Sequence, residues 1–166
     1  MNKIIVNRHS CRFFEDKDID INVINKILKA ASLAPSVHNI QPWRFRLVDS
    51  KETIFDLSKV MKRNTWIKDV NIVIAVYGVK SNANDMKITL SIGACIENML
   101  LEAESLGVGT CWIGECIENE DEINLILEND NDKYKLYSLV AVGYENKRIK
   151  KLLRKTQKKG ISQILV

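Results

Sequence analysis

Histidine, proline and long apolar runs are all scarce in this chain, and each shortage closes a class of function. Only His9 and His38 occur among 166 residues, too few for a histidine-based zinc site. The four cysteines, Cys11, Cys95, Cys111 and Cys116, show neither CxxC spacing nor the framework of a small secreted protein. They are expected as free thiols in a cytoplasmic chain. No stretch reaches the roughly 18 apolar residues of a membrane span. The best run, Ile72–Val76, is strand-sized. The opening MNKIIVNRHSCRFFEDKD turns charged after a three-residue apolar run, so no signal peptide is expected. A net charge of +4 is too small and too dispersed to imply nucleic acid. Hydrophobic residues at 46% and charged residues at 28% instead suit a globular domain, and 1–166 is expected to be one. A chain of this length buries about 68–70% of its unfolded surface.

The order of elements follows from periodicity. Ile4–Val6 reads as a short extended piece or the end of a terminal element. Asp18–Leu33 reads as a helix, with Asp20 as N-cap and a stripe of Ile24, Ile27, Leu28 and Ala31. Pro35 stops it, because the residue before a proline is steered out of the helical region. Ser36–Pro42 is a loop, Trp43–Asp49 an alternating strand, and Glu52–Met61 a short helix. Val70–Tyr77 is almost continuously apolar, so it needs cover on both faces. Asn84–Leu106 is the longest helix, about 34 Å at 1.5 Å per residue. Leu90, Ala94 and Leu101 widen its stripe beyond one face, which suits a central core helix or a subunit interface. Gly107 stands where a C-cap glycine would. Gly107–Gly114 is a turn and short strand, Glu120–Glu128 a modest helix, and Tyr134–Gly143 a strand. The sum is a mixed sheet with helices on both faces.

Two segments carry the chemistry. Arg8-His9-Ser10-Cys11-Arg12 offers two guanidinium forks and a hydroxyl, suited to a phosphate, although ordinary surface salt bridges would look the same. Ser36, Asn39 and Gln41 can hydrogen-bond a sugar-like chain or a heterocycle, or simply stabilise their own turn against Trp43. The glycines of Gly107–Gly114 let backbone approach something flat, but the run follows a helix and enters a strand, so it is not a GxGxxG fingerprint. Cys111 lacks the partners of a nucleophile, and Trp112 reads as core. Glu115 and Glu118 do not mark a glycosidase pair. The basic cluster Lys147–Lys159 is either a solvated tail or part of a phosphate site.

Three motifs in order resemble the nitroreductase family of FMN-dependent oxidoreductases. They are Arg8–Phe14, the loop Ala34-Pro35-Ser36-Val37-His38-Asn39-Ile40-Gln41-Pro42-Trp43-Arg44-Phe45, and Leu106–Gly114 together with Val140-Ala141-Val142-Gly143-Tyr144. The resemblance implies an α+β nitroreductase-like fold, a mixed and mostly antiparallel sheet of four or five strands flanked by helices. It implies an intertwined homodimer with FMN at the interface. Arg8, His9, Ser10 and Arg12 would hold the phosphate and ribityl chain. Pro35, Ser36 and Asn39 would reach the flavin from the partner, with Gln41 in the same loop. Ile113 and Gly114 would lie beside the ring, and Arg154 and Lys155 would close on the phosphate. Asn64 and Lys68 are looser candidates for mid-chain contacts.

The implied activity is transfer of electrons from NADH or NADPH, by a ping-pong route, to a nitroaromatic, quinone or similar electron-poor acceptor. No side-chain catalyst and no metal is implied, because the flavin carries the chemistry. A family member acting on enones or halogenated phenols, or a flavin-binding protein with little turnover, fits the same motifs. Few residues precede Arg8 and few separate Gly114 from Glu118–Glu128, which implies a shortened terminal helix and an open pocket.

Overall fold

The computed structural model describes residues 2–80 and 85–148. Its helices are α1 (Lys3–Asn7), α2 (Ile21–Ser32), α3 (Lys51–Val60), α4 (Asp85–Ser105) and α5 (Glu120–Ile126). Its strands are β1 (Trp43–Val48), β2 (Ile72–Val79), β3 (Gly109–Ile113) and β4 (Tyr134–Gly143). Short 3-10 turns cover Val37–Asn39, Thr65–Asp69 and Glu115–Asn119. The terminal Ile4–Val6 piece is helical, not extended, and Asn2 caps it through its side-chain oxygen at 2.9 Å from the Ile4 N–H. Asp20 caps α2 as expected, accepting the Asn22 N–H at 2.8 Å.

The strands lie in the order β1-β2-β4-β3. Among the described residues all three ladders are antiparallel, so the four-stranded sheet has the mostly antiparallel character expected and no parallel strand pair. A parallel pairing survives as the isolated bridge Ser10↔Thr110, outside the strands. The reason is connectivity: β2 passes through α4 to the far edge, and β4 then returns between them.

The sheet separates two apolar layers. On one face α2 and α4 bring Ile24, Ile27, Ile92, Ile96 and Met99 onto Ile74, Val76, Val140 and Val142. On the other, α3, α5 and the two later 3-10 turns bring Ile54, Leu57, Ile67, Cys116 and Ile123 onto Val73, Ala75, Leu139 and Ala141. β2 is thus covered on both sides, as its continuous apolar run requires. A bulge between Val76 and Tyr77 inserts Tyr137 as an extra residue on β4. Leu136 and Leu139 consequently face the same layer, although three residues apart. Gly78 makes room for this, since a Cβ there would lie 2.6 Å from the Tyr137 ring.

α4 shows both of the characters read from its wide stripe. Ile92, Cys95, Ile96 and Met99 are core, whereas Leu90 is 65% exposed. Gly107 ends the helix in the left-handed region at φ 73°. Among the described residues no helix is long and apolar enough to cross a membrane.

The segment before α2 is fastened to the end of the sheet. Cys11 N–H donates to the Thr110 carbonyl at 2.8 Å, Glu15 N–H to Tyr144 at 2.8 Å, and Asn146 N–H to Phe13 at 2.9 Å. Two glycines permit this approach. A Cβ on Gly109 would meet Cys11 at 3.0 Å, and one on Gly143 would meet Phe14 at 2.5 Å. The close neighbours at Gly143 include Phe14 Cγ and Cβ, near the root of the side chain, so rotation of the ring cannot relieve the clash. Gly143→Ala is therefore expected to destabilise the fold by about 1–3 kcal/mol. Urea denaturation of the variant beside the wild type measures it.

Candidate cofactor site

The Arg8–Arg12 segment runs along β3, an edge strand of the sheet. The Ser10 hydroxyl and the Arg12 guanidinium both bear on the Cys111 thiol. Ser10 and Arg12 remain solvent-exposed, so a phosphate can reach them. Burial raises the Cys111 pKa, and Arg12 and Ser10 only partly oppose this. Burial pushes Cys95 and Cys116 up to about 12, so those thiols stay protonated as well. Arg8 leans on α4, its Nε 3.7 Å from Glu97 Oε1 in a partly exposed ion pair. His9 is committed to structure: Nε2 lies 2.8 Å from Glu145 Oε1 and Nδ1 lies 3.0 Å from the Asn7 carbonyl.

The Pro35–Trp43 loop holds a concentration of unusual backbone. His38, Asn39 and Gln41 have φ of 51°, 55° and 45°. Left-handed backbone is uncommon outside glycine and clusters at functional sites. Ser36 braces the loop by accepting the Gln41 N–H at 2.9 Å on its hydroxyl oxygen. Asn39 N–H closes on the Ser36 carbonyl at 2.9 Å. The side chains of His38, Asn39 and Gln41 stay exposed, and so does Pro35. The turn is thus self-stabilised through its backbone while its polar side chains are left to face outward. Val37 N–H anchors the loop to Ser91 Oγ on α4 at 3.3 Å. Ser91 precedes Glu97, where Arg8 docks, by six residues, about 9 Å along the helix.

The Ile113–Gly114 segment emerges from the end of β3. Ile113 is buried, and its carbonyl accepts the Ser138 hydroxyl at 3.2 Å. Gly114 is exposed, and a Cβ added there meets nothing within 4 Å, so the space beside this backbone is open. Trp112, expected in the core, is 44% exposed on the edge strand. Arg154 and Lys155 lie outside the described residues.

Glu115, dismissed in the sequence as half of a glycosidase pair, takes a place that the sequence did not suggest. It is buried, yet it carries a carboxylate held by several donors. Arg63 N–H donates to its two oxygens at 2.9 and 3.2 Å, and Asn64 Nδ2 donates to Oε2 at 2.5 Å. Arg63 Nε adds a contact at 3.5 Å, while the other end of that guanidinium meets Glu118 at 2.6 Å. Burial alone pushes the Glu115 pKa up. The Arg63 N–H, the Asn64 amide and the Arg63 charge outweigh it and hold the pKa below the ordinary carboxylate value. Asn64, a loose candidate from sequence, is thereby tied to the side chain of the residue that follows Gly114. Lys68 is exposed in the neighbouring turn. The one signal for Glu115 in sequence is an acidic residue following Ile113-Gly114; its partners, some fifty residues earlier, are visible only in the fold.

A depressed carboxylate pKa has a defined linkage. The stability that Glu115 contributes is complete above the carboxylate's unfolded pKa of about 4.3 and disappears as pH falls through its lower folded value. The stability difference between wild type and Glu115→Gln is expected to be constant near neutrality and to shrink as pH is lowered past about 4. Urea midpoints across that range measure it.

An antiparallel sheet between two helical layers, with basic, left-handed and glycine segments beside it, defines an α+β class. A model of the Nitroreductase family matches residues 5–71 and 55–144. An Archaeoglobus fulgidus protein, provisionally named NADH dehydrogenase/NAD(P)H nitroreductase, is 32% identical over 147 residues, covering 86% of this chain and 83% of that protein. The FMN-dependent nitroreductase of Clostridium difficile R20291 has a TM-score of 0.78 at 26% identity, with 86% of each chain covered. A Desulfovibrio desulfuricans chain, provisionally a nitroreductase and solved with FMN, shares the fold at TM-score 0.87 and 23% identity, covering 99% of this chain and 94% of that one. The chain belongs to the nitroreductase family. By that membership it is a flavin-dependent oxidoreductase of the nitroreductase type.

Proposed function

We propose that this chain holds FMN and uses NADH or NADPH to reduce nitroaromatic, quinone or similar electron-poor acceptors in a ping-pong cycle. The observation that carries this reading is the convergence of exposed Ser10 and Arg12 on Cys111 in the middle of β3, three residues before the backbone opens at Gly114. From Cys111 to Gly114 the chain advances three residues, about 10 Å at 3.4 Å per residue. A phosphate-bearing planar cofactor fits such a strip, with charge at one end and open backbone at the other. FMN, when bound, supplies the hydride acceptor and donor through its ring.

The chain's own residues bind and orient. Arg8, Ser10 and Arg12 would neutralise and hold the phosphate, with Arg154 and Lys155 as further cationic partners. His9, through Glu145, keeps that segment against the sheet. The backbone at Ile113 and Gly114 would lie alongside the ring, where fixed N–H dipoles favour charge that develops on reduction. No side-chain acid or base is required at neutral pH.

The loop residues Pro35, Ser36, Asn39 and Gln41 would serve the cofactor of a second copy. Two features support the homodimer. The loop projects exposed polar side chains from a preformed backbone. Beside it, α4 exposes Met86 and Leu90, large apolar side chains that water disfavours.

Freshly purified protein is expected to be yellow, with absorption near 450 nm that bleaches on addition of dithionite. It is expected to oxidise NADH or NADPH when menadione or nitrofurazone is supplied. Arg8→Ala and Arg12→Ala are each expected to weaken FMN binding by about 1–3 kcal/mol, read by titration of flavin fluorescence. Unchanged retention in the double variant overturns the phosphate assignment. Retained flavin without turnover favours a binding protein over an enzyme.

A further inference from the structure

Glu115 does more than fill space beside Gly114. Its partner Asn64 is engaged at both ends of the amide: Nδ2 donates to Glu115, and Oδ1 accepts the Trp66 Nε1–H at 3.1 Å. The Trp66 ring in turn stacks on Phe14, with centroids 6.1 Å apart and planes inclined by 26°. Phe14 sits two residues after Arg12 and rests on Gly143. A continuous series of contacts therefore runs from the Gly114 end of β3, through the Arg63–Trp66 turn, back to the segment that carries Ser10 and Arg12.

We propose that Glu115 is a positioning residue for the cofactor, a buried carboxylate that ties the open backbone at Gly114 to the phosphate-facing Arg8–Arg12 segment through Asn64, Trp66 and Phe14. This rests on the FMN reading of the site. It adds a specific role for a residue that touches neither end of the cofactor in that reading. The geometry explains why the group is acidic. A carboxylate can accept from the Arg63 N–H and the Asn64 amide at once with no proton of its own to place. It also explains why the residue is long. The carboxylate must reach from the 3-10 turn after β3 to the turn before β2, and an aspartate is one methylene shorter.

The test uses the whole chain and titrates FMN by fluorescence quenching, with the melting temperature of the flavin-free protein measured alongside. Glu115→Gln keeps reach but turns one acceptor oxygen into an N–H donor facing the Arg63 N–H or the Asn64 amide, and is expected to bind FMN roughly tenfold more weakly. Glu115→Asp keeps the charge but loses reach, and is expected to bind roughly tenfold more weakly, the scale of one lost hydrogen bond to a charged group. Trp66→Phe cuts the link one step further on and is expected to weaken binding while leaving the flavin-free melting temperature within a few degrees. Combining Glu115→Asp with Trp66→Phe is expected to lose less than the product of the single losses, because both act through one chain of contacts. The visible circular dichroism of bound flavin is expected to change in both Glu115→Gln and Glu115→Asp.

Wild-type affinity in Glu115→Asp, or losses that multiply independently, overturns the positioning role. Should Glu115→Asp fail to fold, Trp66→Phe decides: unchanged FMN affinity in that variant overturns the proposal. A wild type that takes up no FMN overturns the cofactor reading itself, a result distinct from either.

Discussion

The seating of residues 9–15 against the end of the sheet is the constraint on which the site depends. Two glycines, Gly109 and Gly143, sit opposite one another across β3 and β4, and the chain lies over them with Cys11 and Phe14 in contact. Without that closeness the Ser10↔Thr110 bridge could not form, and Ser10 and Arg12 would have no fixed place beside Cys111. The His9–Glu145 contact and the Phe13–Glu15 pairing with residues 144–146 then close the same segment from its other side. The edge of β3 is paired there at Thr110, whose carbonyl accepts the Cys11 N–H.

The two faces of the sheet divide the labour. The α2–α4 face supplies the long helix on which both the Arg8 segment and the Pro35–Trp43 loop dock, at Glu97 and Ser91. The opposite face supplies the turns that grip Glu115. The rim of β3 is where these two supports meet. Burial of a carboxylate is costly, and here four donor contacts, one of them from the Arg63 guanidinium, offset that cost. Such a group is fully satisfied and geometrically demanding, which suits fixing a turn.

Much of this was legible in the sequence because it followed from strong local rules. The β2 run, the Asp20 cap, the α4 stripe and the Gly107 stop each have a single cheap solution, and the structure adopts it. The motifs that carry the family resemblance also survive in place. What was not legible depends on contacts between distant segments. Ile4–Val6 read as an extended piece or the end of a terminal element, and an asparagine cap and five residues suffice to make it a turn and a half of helix. Trp112 looked like core because aromatics usually are, yet its strand is an edge. The glycines of 107–114 were read as room for a ligand, whereas Gly109 makes room for the chain's own Cys11. The β4 bulge at Tyr137 is set by a partner strand some sixty residues away. Glu115 stayed hidden for the same reason: its donors belong to a different turn.

The backbone of the Ser36–Gln41 loop has a consequence of its own. Three non-glycine residues in left-handed conformations are held there by internal hydrogen bonds and by Ser91, before anything docks. The free energy of shaping that surface is therefore spent during folding of the single chain. A second subunit would meet a finished template, and association would carry little penalty for ordering the loop. Dimer assembly would then be governed by how quickly two rigid faces find each other, and a change at His38 or Asn39 to a residue that relaxes the loop would slow the encounter before it altered any contact within the complex.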